Sequence, residues 1–179
     1  MADLKTEIVI DYDITALVHE HHAYVYRYAY RLAGSVADAE DITQQTFLLA
    51  QQGLRQLQKK ENAKAWLSAI VRNCFFRLIE RQRPIPATNL GVDLDAVAIE
   101  DDAELPIDPV VLQQAIGELL PEFRVVLVMF YFEDLLYREI AEKLELPLGT
   151  VMSRLARAKR QLRAALIDAE AVSTGEPDA

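Results

Sequence analysis

The segment from Pro147 to Leu166 concentrates chemistry that suits a polyanion. It holds Arg154, Arg157, Lys159, Arg160 and Arg163 and not one carboxylate. Guanidinium forks can bridge two phosphate oxygens or grip the O6/N7 edge of guanine. Thr150 and Ser153 precede them, and hydroxyls at the start of a helix can donate to a phosphate where unpaired amides already favour negative charge. A basic solvated helix in a small bundle has the same composition, so the elements that would position these groups decide between the two readings.

Those elements are helices. Val151, Leu155, Ala158, Leu162 and Ala165 recur at the spacing of one buried helical stripe, with Ser153, Arg154, Arg157, Arg160 and Arg163 around the rest. The pattern predicts a helix from Gly149 or Thr150 to Leu166. Before it, Tyr137 to Leu144 predicts a two-turn helix burying Ile140, Ala141 and Leu144, and Glu145-Leu146-Pro147-Leu148 makes a tight connection. Two helices crossing at a short turn, the second basic and amphipathic, form a helix-turn-helix. Upstream, Asp108 to Leu120 and Glu122 to Phe132 predict two apolar helices, with Pro121 in the first turn of the second.

The first half is helical too. Asp13 to Leu32 aligns Leu17, Tyr24, Tyr28 and Leu32 on one face, and Gly34-Ser35 breaks the pattern. Ser35 or Asp38 can cap the next helix, Asp38 to Leu57, whose inner side carries Ala39, Ile42, Thr46, Leu49 and Ala50. Asp38, Asp41, Gln44 and Gln45 project from its outer side. A third helix, Ala63 to Arg83, packs Trp66, Leu67, Ile70, Val71, Phe75 and Leu78, and Pro84 and Pro86 close it. Period-two alternation never persists, so the expected fold class is all-α, with two small helical domains and the helix-turn-helix in the second.

The net charge of −9 over 179 residues opposes nucleic-acid binding only until its distribution is read. Between Pro84 and Glu122 there is no Lys or Arg, while Asp93, Asp95, Glu100, Asp101, Asp102, Glu104 and Asp108 crowd the interval. Arg27 to Arg83 and Pro147 to Leu166 are net basic. The acidic middle also lacks helical periodicity from Ala87 to Pro106, which predicts a linker of about twenty residues, long for the inside of a compact domain. It reads either as a solvated spacer or as an acidic strand lying in a partner's basic channel. The predicted boundaries are 12–84 for the first domain, 85–107 for the linker, 108–167 for the second domain and 168–179 for a flexible tail.

The lone Cys74 excludes an internal disulfide and fits a reducing compartment. No signal-peptide pattern opens the chain, and the longest apolar run, Val125 to Phe132, is too short to cross a bilayer. The expected location is the cytoplasm, without membrane insertion.

Motifs within these helices resemble a known family. Tyr137-Arg138-Glu139-Ile140-Ala141-Glu142-Lys143-Leu144, Pro147-Leu148-Gly149-Thr150-Val151 and Ser153-Arg154-Leu155-Ala156-Arg157-Ala158 resemble region 4.2 of extracytoplasmic-function (ECF) sigma factors, of the sigma-70 class. Leu120-Pro121-Glu122-Phe123-Arg124-Val125-Val126-Leu127 resembles region 4.1. Tyr26 to Leu32 with Asp38-Ala39-Glu40-Asp41-Ile42-Thr43-Gln44-Gln45-Thr46-Phe47 resembles regions 2.1 and 2.2. Trp66-Leu67-Ser68-Ala69-Ile70-Val71-Arg72-Asn73 and the basic tail to Arg83 resemble regions 2.3 and 2.4. The resemblance runs from about Asp13 to Leu166, in family order.

It implies a transcription initiation factor, not an enzyme, that binds core RNA polymerase through the β′ clamp helices and the β subunit. Asp38, Glu40, Asp41, Gln44 and Gln45 are the implied polymerase contacts. The first domain would melt the −10 element, with Asn73 at a DNA-contacting position; an amide can both donate and accept, as a base edge requires. Lys59, Lys60, Lys64, Arg72, Arg77, Arg81 and Arg83 would meet phosphates there, whereas Trp66 falls in the apolar stripe and reads as a core anchor. Thr150, Ser153, Arg154, Arg157, Lys159 and Arg160 would read the −35 element. An anti-sigma partner is implied; no cofactor, metal, catalytic residue or small-molecule substrate is expected.

Several positions depart from the family pattern. Met152 stands where Lys or Arg is common and cannot make a bidentate guanine contact. Gln45 replaces Glu, and Arg77 replaces Asp. Leu136 replaces a capping Ser, a loss of ~1 kcal/mol, and Glu145 takes a turn position often held by Gly. His19-Glu20-His21-His22 lacks the two-histidine spacing of a helical zinc site and reads as polar helix surface. Two other readings remain at this stage: a stand-alone helix-turn-helix regulator, and a sigma-like decoy that binds an anti-sigma protein without touching DNA.

Overall fold

The computed structural model describes residues 13–57, 59–82 and 108–174, with side chains as far as residue 169. The expected linker, 85–107, lies outside the described residues. Among those described, every regular element is a helix.

Helix α1 (Ile14–Ala33) starts where the Asp13 carboxylate accepts the Thr15 amide at 2.7 Å, which satisfies one of the orphan donors of the first turn. It ends at Gly34, whose φ of +81° is the left-handed conformation that only glycine adopts without strain. Ser35 then caps α2 (Val36–Gly53), its Oγ accepting the Asp38 amide at 3.2 Å and donating to the Asp38 carboxylate at 2.8 Å. The expected helix to Leu57 stops at Gly53 and tightens into a 3-10 turn, Leu54–Gln56. Helix α3 (Ala63–Gln82) completes the first module. Its core is Leu17, Val25, Tyr28, Ala29 and Leu32 from α1, Ala39, Ile42 and Ala50 from α2, and Leu67, Val71 and Phe75 from α3, all at most 1% exposed.

Helices α4 (Pro109–Glu118), α5 (Pro121–Phe132), α6 (Tyr137–Leu144) and α7 (Leu148–Thr174) form the second module. Pro109 and Pro121 each sit in a first turn, where the missing amide costs nothing. Val125 to Met129 of α5 are buried all round, and the stripe Val151, Leu155 and Ala158 of α7 packs against this apolar helix. Between α6 and α7 the chain turns at Glu145, with φ +54° and ψ +41°. Glu145 thus holds the left-handed conformation that explains why glycine is common at this turn position. The Leu146 amide closes it on the Ala141 carbonyl at 2.9 Å. Leu136 cannot cap α6, but Glu139 reaches back to the Leu136 amide at 2.7 Å, which keeps half of a capping box. Helix α7 continues to Thr174, beyond the Leu166 end that its apolar stripe predicted and into the expected tail.

The two modules touch. At the end of α5, Phe132 stacks near Tyr24 and Tyr28 of α1, with centroids 5.3 and 5.4 Å apart, and the Arg31 guanidinium lies 5.2 Å from the Phe132 ring centroid. Arg124 of α5 reaches the far end of α1, donating to the carbonyls of Leu32 (2.6 Å) and Ala33 (3.4 Å), and also to Gly117 and Leu119 (2.9 Å) at the end of α4. One guanidinium thus caps two helix C-termini, where carbonyls lack partners and the dipole favours a cation.

Candidate nucleic-acid interface

On α7 the core stripe fixes what remains outside. Val151, Leu155 and Ala158 are at most 2% exposed, so Thr150, Ser153, Arg154 and Arg157 are left half-exposed on the flanks and Arg160 and Arg163 exposed. The Ser153 hydroxyl donates to the Thr150 carbonyl at 3.1 Å, and the Thr150 and Val151 amides bond the Pro147 carbonyl. Lys159 does not simply extend into solvent. Its ammonium lies 5.3 and 5.2 Å from the ring centroids of Phe130 and Tyr131 on α5, a cation–π arrangement. The helix-turn-helix expected from the sequence is present, and all six implied −35 residues lie on α7, the basic second helix.

In the first module, α2 and α3 enclose a groove of about 300 Å³ lined by Leu49, Gln52, Gly53, Gln56, Trp66, Ile70, Asn73 and Arg77. Gly53 lies against the indole: a Cβ there would meet Trp66 Cζ2 at 3.4 Å, in van der Waals contact. Trp66 is half-buried: it packs against the hydrophobic core, in keeping with its reading as a core anchor, and its remaining surface walls the groove. Asn73 and Arg77 stand exposed one turn apart, and Lys59, Lys60, Lys64 and Arg81 are exposed as well. Lys60 pairs with Glu20 at 2.7 Å, and the Lys64 ammonium lies 5.5 Å from the Tyr24 ring centroid.

Arg72 differs from its expected place on a phosphate-binding surface. Its side chain is 6% exposed and donates to Glu133 Oε1 at 2.6 Å, across the seam between the modules. The Tyr28 hydroxyl joins them, accepting from Arg72 at 3.2 Å and donating to the same Glu133 oxygen at 2.5 Å. Burial pushes the Tyr28 phenol well above its ordinary pKa, against the pull of Arg72, so it stays a neutral donor. The helical phase of Arg72, which puts it among apolar neighbours, is the signal that could have foretold burial. Glu133 has no such signal, because its partners are far away in sequence.

On α2, Glu40, Asp41, Gln44 and Gln45 are exposed, and Asp38 is half-buried and tied to Ser35. The structure adds Leu48, 52% exposed on the same face one turn beyond Gln44 and Gln45, which the sequence reading had passed over. Cys74 is buried, and burial raises its thiol pKa, with the Thr46 hydroxyl opposing. Alkylation of native protein by iodoacetamide at pH 8 is therefore expected to be slower than after denaturation; equal rates would contradict the burial. The described residues contain no group of three His, Cys, Asp or Glu placed to hold a metal ion. His22 instead stacks between Tyr26 and Phe47, 6.5 and 6.1 Å away.

These features define a class: an all-α protein of two modules, one presenting an acidic and amide-rich helix face, the other a basic helix-turn-helix. Residues 17–85 match the family model for sigma-70 region 2, and residues 110–162 match that for sigma-70 region 4. The chain is 39% identical over 155 residues to the ECF RNA polymerase sigma factor SigE of Mycolicibacterium smegmatis, covering 82% of this chain and 59% of that protein. It is 31% identical to SigW of Bacillus subtilis, over 80% of this chain and 83% of SigW. With SigL of Mycobacterium tuberculosis the identity is 33%, over 84% of this chain and 87% of SigL. Among solved structures, the sigma factor RpoE from Bartonella quintana, in complex with the anti-sigma factor NepR, shares the fold with a TM-score of 0.64 at 24% identity; the match covers 87% of this chain and 97% of RpoE. The chain belongs to the ECF family of RNA polymerase sigma factors. Sigma factors are initiation factors that bring polymerase to promoters. No helix among the described residues is long and apolar enough to cross a membrane.

Proposed function

We propose that this sigma factor divides its work between the modules as follows. The first, residues 12–84, grips the β′ clamp helices through Glu40, Asp41, Gln44, Gln45 and the exposed Leu48, and opens the −10 element beside the groove that holds Asn73. Lys59, Lys60, Lys64, Arg77 and Arg81 neutralise phosphates around it. The second module, residues 108–167, lays α7 in the major groove of the −35 element, with Thr150, Ser153, Arg154, Arg157, Lys159 and Arg160 as contacts. The acidic segment 85–107 passes between them along the polymerase, and the reaction takes place in the cytoplasm. An anti-sigma protein holds the factor inactive, a reading supported by the fold shared with the NepR-bound RpoE.

The observation that carries this reading is the pairing, in one chain, of an exposed Asp41–Gln44–Gln45–Leu48 face with a helix-turn-helix whose second helix is basic. A stand-alone regulator needs only the latter. Run-off transcription by core polymerase with this protein, on a library of genomic promoters, is the test. Discrete start sites are expected; none at all would overturn the proposal and favour a decoy.

Once a promoter is known, Arg154→Ala and Arg157→Ala should each weaken binding roughly 5- to 100-fold, the value of a lost base contact. Asn73→Ala should slow opening of the −10 region, and a template already unpaired there should restore activity. Failure of the unpaired template to rescue would place the Asn73 defect elsewhere.

A further inference from the structure

Every contact assigned to α7 above is polar or charged, yet its first turns also present an apolar strip. Leu148, Met152 and Ala156 follow one another at four-residue steps; Leu148 is 39% and Met152 48% exposed, and Ala156 is half-exposed. Four-residue steps keep side chains along one flank of a helix, and at 100° per residue Met152 lies a quarter turn from the buried Val151. Met152 therefore does not complete the core. It stands beside Ser153, with Lys159, Arg160 and Arg163 in the following turns.

These are the turns that reach base edges when such a helix enters the major groove, while the surrounding cations hold the phosphates. A thioether has no donor to offer a guanine or adenine edge. The one apolar group that the major groove displays is the 5-methyl of thymine. A flexible, polarizable side chain fits such a small target. We propose that Met152, flanked by Leu148, is a specificity-determining residue that selects thymine in the −35 duplex by contact with its 5-methyl group. This rests on the proposed −35 role of α7. The occupant of the strip is thus promoter DNA, favoured over an apolar segment of a protein partner by the basic side chains on the same helix.

The test removes the methyl and nothing else. Holoenzyme formed from core polymerase and the full chain is bound to a responsive promoter in which each −35 thymine, on either strand, is replaced in turn by deoxyuridine. At one or two positions, binding should weaken about fourfold, the worth of one buried methyl-sized group. Met152→Ala, at an exposed helical site, should fold normally by circular dichroism and bind thymine and uracil promoters alike. Met152→Lys should shift preference at that position toward guanine. If the wild-type protein protects the −35 element yet discriminates at no position, or if Met152→Ala discriminates undiminished, the proposal is overturned while the −35 role of α7 stands. Absence of any −35 protection would overturn both.

Discussion

Glu133→Ala is expected to separate the two modules without melting either. The substitution leaves the Arg72 guanidinium, 6% exposed, facing only the Tyr28 hydroxyl. A buried cation stripped of its partner costs about 3–5 kcal/mol for as long as it stays buried. Part of that cost is relieved if the end of α5 withdraws from α1 and α3, which rehydrates Arg72 at the loss of the Phe132 contacts. Small-angle scattering should show a larger radius of gyration, with helical circular dichroism retained. Glu133→Gln, which keeps an acceptor but not the charge, should open the seam less. A protein of unchanged size and unchanged unfolding midpoint would refute the assignment of Glu133 as the counter-charge.

Arg124→Ala is expected to be the more damaging change, because its guanidinium serves the ends of two helices. The carbonyls of Leu32, Ala33, Gly117 and Leu119 would lose a charged donor where the surroundings admit little water. Hydrogen bonds to charged groups contribute about 1.5–3 kcal/mol each, and shared geometry keeps the sum below additivity, so a loss of about 3–5 kcal/mol is expected in urea unfolding. Arg124→Lys should recover less than half of it, since an ammonium cannot span both helix ends in the plane of a fork. A loss under about 1 kcal/mol for Arg124→Ala would show that the caps are dispensable.

The sequence disclosed most of this fold because its helices are punctuated by residues with a local mechanism. Asp13, Ser35, Asp108 and Pro121 mark starts, and Gly34 and the 145–147 turn mark ends, so the boundaries followed to within a few residues. The second helix was misjudged at its end because nothing apolar distinguishes a last α-helical turn from a 3-10 one. Helix α7 ran long because an exposed extension needs no buried stripe. At the candidate interface, local motifs placed Asn73, Arg77, Arg160 and Arg163 on exposed helix faces and Arg154 and Arg157 on half-exposed flanks. Arg72 was misplaced because its charge was read ahead of its helical phase, and its counter-charge lies across the seam. Glu133 sits 61 residues away in the chain, and no periodicity within α3 announces it.

The Arg72–Glu133 pair ties the solvation of one side chain to the seam between the modules. A cation engaged by a carboxylate at 2.6 Å has no charge to lend to a phosphate. Any anion that recruited Arg72 would first have to displace Glu133, and would draw Phe132 away from Tyr24 and Tyr28 in the same step. By mass action the toll is reciprocal: such a ligand's apparent affinity would fall by whatever fraction of molecules is clasped, and each one bound would hold the clasp undone. Exposure of Arg72 and the spread of the two modules are thus one equilibrium, held at a single guanidinium.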